Sequence, residues 1–307
     1  MKKSILITDK VHPKLTRELE KDGFVVNNHP KMTLSETIAI IQKYDGVIVN
    51  SKTICNKKLI DKAENLKFIG RLGSGLEIIN LKYAAIKGIH VLRTPEANCG
   101  AVAEQALGMI LCLFNNIKNA NAQLKTLNWQ REENRGIEIR GKTIGIIGYG
   151  YTGTAFHELI KPFGAKIIVY DKYKAPYQDK ILLDQIHNEA DIISIHLPLT
   201  NETIGYVNSD FIKKCKKPFY IINTARGKNV VISDLIEALD KWQILGACLD
   251  VFENENSSTF TQQEMKMYLD LYNRVNVICT PHIAGWTEES LLRIAESMLW
   301  KIRKLEI

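Results

Sequence analysis

Nothing in this 307-residue sequence forms a CxxC pair or a cluster of histidines and cysteines, although six cysteines are present. Cys55, Cys99, Cys112, Cys215, Cys248 and Cys279 are scattered, which argues against a structural metal or a disulfide framework and for reduced, mostly buried thiols. Long apolar runs are also missing. The longest, Ala106 to Phe114, is interrupted by Gly108 and is about half the ~20 residues that a membrane span needs. Met1 to Asp9 turns polar after three apolar residues, unlike a signal peptide, and reads as the first β-strand of a cytoplasmic protein. Charge of one sign is only mildly in excess, with 41 Lys and Arg against 34 Asp and Glu for a net +7. The one tight basic group, Lys213, Lys214, Lys216 and Lys217, lacks interleaved aromatics, so it reads as a solvated helix end. Neither a nucleic-acid nor a membrane partner is expected, while a weak positive field favours anionic substrates and cofactors.

What is present is the ordinary balance of a globular protein, 45% hydrophobic and 24% charged residues, in a chain long enough for two domains. Strand-like Ser4–Thr8, Phe24–Asn27, Gly46–Asn50, Lys67–Leu72 and His90–Leu92 alternate with helical Pro13–Asp22, Leu34–Tyr44, Lys57–Ala63 and Leu81–Lys87. A long helix follows near Gly100 to Lys125. A second series then sets strands Thr143–Ile147, Lys166–Tyr170, Ile192–Leu197, Phe219–Asn223, Leu245–Leu249 and Val275–Cys279 among helices Thr152–Lys161, Leu182–Glu189, Ser209–Lys214 and Ser233–Asp240. Such alternation predicts right-handed βαβ units around parallel sheets, and near-continuous apolar strands predict sheets covered on both faces. An amphipathic helix, Glu288–Lys304, ends the chain and is expected to pack back on one of the two domains.

Gly148-Tyr-Gly150-Tyr-Thr-Gly153 is a GxGxxG hexapeptide, a weak signal by itself. Here it follows a strand, opens a helix and precedes Asp171 at the end of the next strand, the full context of a dinucleotide site. Gly148 permits the tight turn, Gly150 lets a pyrophosphate approach the backbone, and Gly153 brings helix and strand together, with the helix N-terminus facing the phosphates. The Asp171 carboxylate suits ribose hydroxyls and repels a 2′-phosphate, so NAD is expected over NADP, although Lys172 and Lys174 stand beside it.

Three later segments carry residues that packing does not require. Thr224-Ala225-Arg226-Gly227, Asp250-Val-Phe-Glu253-Asn-Glu255 and Thr280-Pro-His282 each follow an apolar strand, at the edge where open α/β sheets bind ligands. Moving a hydride to or from a carbinol carbon also requires a proton acceptor or donor working near neutral pH, which suits His282. A carboxylate, Glu253 or Glu255, would orient the imidazole, and Arg226 would clamp a substrate carboxylate and polarise its carbonyl.

These motifs, with Gly70-Arg-Leu-Gly-Ser-Gly75, Thr94-Pro-Glu-Ala-Asn98, Val102-Ala-Glu104, His196-Leu-Pro-Leu-Thr200, Asn223-Thr-Ala-Arg-Gly227 and Thr280-Pro-His-Ile-Ala-Gly285, span essentially the whole chain. The sequence resembles the D-isomer-specific 2-hydroxyacid dehydrogenases, and within them the 3-phosphoglycerate dehydrogenases. The resemblance implies an α/β fold of two Rossmann-like, doubly wound parallel-sheet domains. Residues 1–98 and 286–307 would form a substrate domain, into which a NAD-binding domain, residues 99–285, is inserted. It implies Arg226, Glu255 and His282 as the catalytic trio. Tyr151, Thr152, Asp171, His196, Pro198, Thr203, Thr224 with Ala225, and Asp250 match positions that contact NAD, Asp250 near the nicotinamide carboxamide. The backbone around Ser74 and Gly75 would bind the substrate carboxylate.

The implied reaction is oxidation of 3-phosphoglycerate to 3-phosphohydroxypyruvate for serine synthesis. A glyoxylate or hydroxypyruvate reductase, a D-lactate dehydrogenase and a non-catalytic NAD-sensing corepressor are the alternatives. A homodimer built on the long helix after Gly100 is implied as well. Asn50 departs from the family pattern by standing where a phosphate-binding arginine is common, which leaves Lys52, Arg71 or Arg135 to take its place. Asn80 replaces an aspartate and Asn256 a proline, and serine feedback through an added C-terminal domain is not expected.

Overall fold

The computed structural model describes residues 2–174 and 182–305. The chain divides into two units, Met1–Asn98 with Trp286–Ile307, and Cys99–Gly285.

In the first unit, β1 (Ser4–Ile7), β2 (Val25–Asn28), β3 (Gly46–Val49), β4 (Phe68–Arg71) and β5 (His90–Arg93) form a five-stranded sheet in the order β2-β1-β3-β4-β5. Every pairing is parallel, so all carboxyl ends lie on one edge. The terminal helix Glu288–Arg303 packs on this unit, burying Ile294, Ala295, Met298, Leu299 and Ile302 against Ile5, Ile7, Ile48 and Phe68. Thr287 and Ser290 form a capping box at its start, Glu288 and Glu289 occupy its first turn and Lys301 and Arg303 its last, the charge order that the helix dipole favours.

The second unit holds β6 (Thr143–Ile147), β7 (Lys166–Tyr170), β8 (Ile192–Ile195), β9 (Phe219–Asn223), β10 (Ile244–Leu249) and β11 (Val277–Cys279) in a six-stranded parallel sheet ordered β11-β10-β9-β8-β6-β7. Successive strand residues feed opposite core layers, as the pleat dictates. Ile146, Ile222 and Cys248 join one cluster with Phe156 and Ile160, while Ile147, Ile221 and Leu249 join the other with Leu235 and Tyr268. The strand order reverses between β6 and β8, which opens a crevice at their carboxyl ends, where doubly wound sheets take ligands.

Three local expectations change. The helix expected from Gly100 to Lys125 starts earlier, with Pro95 in its first turn, runs to Phe114, and resumes as Ile117–Leu124. Asn116 breaks it at φ 50, a left-handed conformation that asparagine tolerates better than most residues. The helix expected over Leu34–Tyr44 is α-helical only as Leu34–Ile40 and tightens to a 3-10 turn at Ile41–Lys43. A helix not expected, Gln262–Asn273, is capped by Thr261 and Glu264 and buries Tyr268 and Leu271. By length and composition alone Pro95–Phe114 would cross a membrane, but its Ala103, Ala106, Met109, Ile110, Leu113 and Phe114 are core residues of the second unit.

Candidate active site

The parallel sheet of the second unit brings six loops to one edge. The Gly148–Gly153 turn follows β6 and has the steric properties of a phosphate cradle. Gly148 has φ +95, and a Cβ there would lie 2.6 Å from the His196 carbonyl oxygen. A Cβ on Gly153 would lie 2.0 Å from the Gly148 carbonyl oxygen, so helix and turn touch because residue 153 has no side chain. Gly150, the N-cap of the helix Tyr151–Ile160, has nothing within 4 Å of a Cβ position. Its side-chain direction is open, and the backbone N–H groups of the first helical turn, including Tyr151 and Thr152, start there.

Around that turn, the Asp171 carboxylate accepts N–H bonds from Tyr149 at 2.7 Å, Tyr173 at 2.8 Å and Lys174 at 3.0 Å. Asp171 therefore holds the glycine turn as well as marking the end of β7. His196 exchanges a hydrogen bond with Ser194 through Nε2 at 2.8 Å, and its Nδ1 is buried without a protein partner. Burial lowers its pKa from 6.5 to about 4, so the ring is neutral at physiological pH. Thr203 accepts from the Thr200 N–H at 2.8 Å and donates to the Pro198 carbonyl at 2.6 Å, closing the loop after β8. Thr224 follows β9 with a buried hydroxyl oxygen that has no protein partner. The open position at Gly150, the helix N-terminus and the orphaned Thr224 hydroxyl are features a bound dinucleotide would use, so these residues fit NAD.

Arg226, Glu255 and His282 stand after β9, β10 and β11. His282 Nδ1 lies 2.8 Å from Glu255 Oε2, both side chains being about half exposed. The hydrogen bond and charge of Glu255 raise the His282 pKa above its ordinary value despite burial. Burial acts to raise the Glu255 carboxyl, but the hydrogen bond and charge of His282, the Phe252 N–H and then Arg226 outweigh it and leave it below the usual carboxylate range. Glu253, the other candidate, accepts the Ile232 N–H at 3.1 Å instead, and its pKa is raised by burial. The pairing with His282 thus falls to Glu255.

His282 has φ 55, an uncommon conformation for a residue with a side chain and a form of local strain that needs surrounding support. Asp250 provides it. Its backbone carbonyl accepts the His282 N–H at 2.7 Å, and its fully buried carboxylate accepts the Ile283 N–H at 2.9 Å, the Ala284 N–H at 2.8 Å and the Thr280 hydroxyl. Asp250, expected as a cofactor contact, therefore has its carboxylate turned into the histidine loop. Asn223, also fully buried, does the same for arginine. Its side chain donates to the Arg226 carbonyl at 3.0 Å and accepts from the Ala225 N–H at 3.1 Å, while Arg226 Nη1 donates to the Ala225 carbonyl at 2.7 Å. Neither support was apparent from the sequence, although both residues are polar at the end of an apolar strand, which was the available signal.

In the first unit, the carboxyl edge carries Asp9, Asn50, Arg71 and Thr94. Asp9 accepts the Asn50 N–H at 2.7 Å, and Arg71 Nη1 donates to Asn50 Oδ1 at 3.1 Å and to the Leu72 carbonyl. Lys52 donates to the Pro30 carbonyl rather than joining Arg71. Ser74 and Gly75 lie on the loop after β4, whose Gly73 N–H bonds the Thr94 hydroxyl at 2.9 Å. Arg135 pairs with Glu132. Among the described residues no group of three or more His, Cys, Asp and Glu could hold a metal ion.

A family model described as the D-isomer specific 2-hydroxyacid dehydrogenase, NAD binding domain, matches residues 107–284. The D-3-phosphoglycerate dehydrogenase of Homo sapiens is 34% identical over 302 residues, which cover 96% of this chain and 55% of that protein. The chain thus spans about half the length of the curated D-3-phosphoglycerate dehydrogenase it matches. The hydroxypyruvate reductase of Thermotoga maritima is 36% identical over 272 residues, covering 88% of this chain and 87% of its own. A crystal structure of D-lactate dehydrogenase from Aquifex aeolicus, complexed with NAD and lactic acid, superposes with a TM-score of 0.84 at 30% identity, covering 98% of this chain and 94% of that one.

Proposed function

The chain belongs to the D-isomer-specific 2-hydroxyacid dehydrogenase family, and from that premise we propose that it is an NAD-dependent oxidoreductase of a D-2-hydroxy acid, with 3-phosphoglycerate as substrate and serine synthesis as its place. The observation that carries the reading is the His282–Glu255 pair on the same sheet edge as the glycine cradle and Arg226. NAD, when bound, supplies the hydride acceptor. With Nδ1 committed to Glu255, His282 presents Nε2 as the base that takes the hydroxyl proton. Glu255 fixes the ring and stabilises the imidazolium that forms. The Arg226 guanidinium binds the carboxylate and the carbonyl that develops beside it.

On the first unit, Arg71 and Lys52 are the cations we nominate for a phosphate. A second reading, hydroxypyruvate reductase, is favoured by the Thermotoga maritima relative, which the chain covers almost end to end, and by Asn50 in contact with Arg71. The test follows NADH absorbance on mixing the protein with NAD⁺ and 3-phosphoglycerate, glycerate or lactate. A kcat/KM for 3-phosphoglycerate well above the others, reduced by Lys52→Ala, supports the first reading, and equal values for phosphorylated and unphosphorylated acids defeat it. Tight NADH binding with no turnover of any 2-hydroxy or 2-oxo acid would instead mark a sensor of the corepressor kind.

The six free thiols support a reducing compartment, the cytoplasm. Ile117, Leu124, Leu127 and Trp129, the last two 95% and 81% exposed, support a homodimer through this face. Sedimentation of Trp129→Glu as a monomer would bear this out.

A further inference from the structure

Beside the dinucleotide cradle lies a set of charges that takes no part in the proposed hydride chemistry. Two lysines follow Asp171, and each ammonium has a fixed acceptor. Lys174 Nζ donates to the Tyr149 carbonyl at 3.3 Å. Lys172 Nζ pairs at 2.6 Å with Oε2 of Glu202, 30 positions away on the loop after β8. The same oxygen accepts the Tyr173 hydroxyl at 3.3 Å, and the Lys172 ammonium stands 5.5 Å from the centre of the Tyr173 ring.

We propose that Glu202 is a cofactor-selectivity residue, which engages Lys172 and so withholds it from the 2′-phosphate of a phosphorylated dinucleotide. The inference rests on the reading of Gly148–Asp171 as a dinucleotide site. A 2′-phosphate brought to the end of β7 meets the Asp171 carboxylate, which is held in place by three N–H groups and cannot swing away without breaking them. Accepting a dianion there requires a compensating cation. Lys172 adjoins Asp171, and its long, flexible stem could deliver a point charge. Glu202 both occupies that charge and adds a negative one of its own.

The Lys172 and Glu202 side chains are 56% and 61% exposed, so their attraction is modest and is screened by salt. Selectivity resting on such a contact is one that a single substitution can relax. Tyr173, sharing the Glu202 oxygen and facing the ammonium, holds the pair in register from the same turn as Asp171.

The test measures dissociation constants of NADH and NADPH by nicotinamide fluorescence at low salt for the wild type, Glu202→Gln, Lys172→Met and the double variant. Glutamine keeps an acceptor for the Tyr173 hydroxyl while removing the charge. Glu202→Gln is expected to tighten NADPH about 3–10-fold, the combined effect of one released cation and one deleted anion at an exposed site. NADH should stay within about twofold, because its ribose carries no charge to screen. With Lys172→Met in place the same substitution should gain about twofold or less, and 0.5 M salt should shrink the gain. NADPH affinity unmoved by Glu202→Gln, an equal gain with and without Lys172, or an equal change for both nucleotides overturns the proposal. Wild-type protein that binds neither nucleotide overturns the dinucleotide reading, and this inference with it.

Discussion

Gly227→Ala adds one methyl group where the loop of Arg226 meets the loop of Glu255. The new Cβ would lie 1.8 Å from the Phe252 carbonyl oxygen and 1.9 Å from its carbonyl carbon, backbone atoms that cannot rotate aside. An ordinary C···O contact is roughly 3.2 Å or more, so the two loops must part by more than about 1 Å, and overpacking of this kind costs about 1–3 kcal/mol. One loop carries the guanidinium and the other the carboxylate that orients His282, and a displacement of about 1 Å in such a constellation lowers kcat by about 10²-fold. The fingerprint turn belongs to β6, two strands from β9, so NADH affinity should fall far less than kcat, through the Thr224 hydroxyl on the displaced loop alone.

Gly150→Ala is the contrasting variant. Nothing lies within 4 Å of its Cβ position, and its φ of −80 is open to alanine. Its stability should hold or rise slightly, as the unfolded chain loses freedom, while NADH binding weakens because the methyl enters the space beside the helix N-terminus. Urea melts, NADH fluorescence titration and steady-state kcat measured on both variants read out the two patterns. A wild-type kcat in Gly227→Ala would refute the dependence of catalysis on the spacing of these loops.

His282→Asn should lower kcat by about 10²–10⁴-fold with NADH binding nearly unchanged, since a general acid–base is lost and no dinucleotide contact is; an unaltered kcat would remove His282 from the role. Glu255→Gln takes away the interaction that raises the His282 pKa, so the acid limb of kcat/KM for hydroxy-acid oxidation should move to lower pH. In the reductive direction, which starts from protonated His282, the alkaline limb should move the same way, and a stationary limb would place the titrating group elsewhere. His196, with its pKa lowered from 6.5 to about 4, binds its proton less readily folded than unfolded, so its neutral burial costs stability as pH falls from about 6.5 towards 4. The loss between pH 7 and pH 5 is about 2 kcal/mol from this residue, and urea melts of His196→Gln at the two pH values should show that much less acid destabilisation, whereas an equal loss in both proteins would contradict the assignment.

Much of this architecture can be read along the chain because its rules are local. A strand covered on both faces must be apolar at successive positions, so Ile144-Gly-Ile-Ile147 and Tyr220-Ile-Ile222 announce themselves, and a polar residue just after such a run stands on the ligand edge. That is why Arg226, Glu255 and His282 were visible as a group. The helix Gln262–Asn273 is harder to read, although Thr261 and Glu264 spell a capping box, because the two buried residues Tyr268 and Leu271 make a thin apolar stripe.

The supports under the trio depend on register instead. Leu249 pairs with Cys279 and with Asn223 across neighbouring strands, and only that alignment sets the Asp250 carboxylate against the N–H groups of Ile283 and Ala284. No spacing within either segment contains this information. The same holds for Lys172 and Glu202, whose encounter depends on where β7 and β8 end on either side of β6. Residue types can therefore nominate the groups that do the chemistry, while the groups that aim them are identified by strand order and register. Asp250 shows the consequence: the motif nominates it for the cofactor, and register gives its carboxylate and carbonyl a further place beneath the histidine loop, where they support a backbone at φ 55.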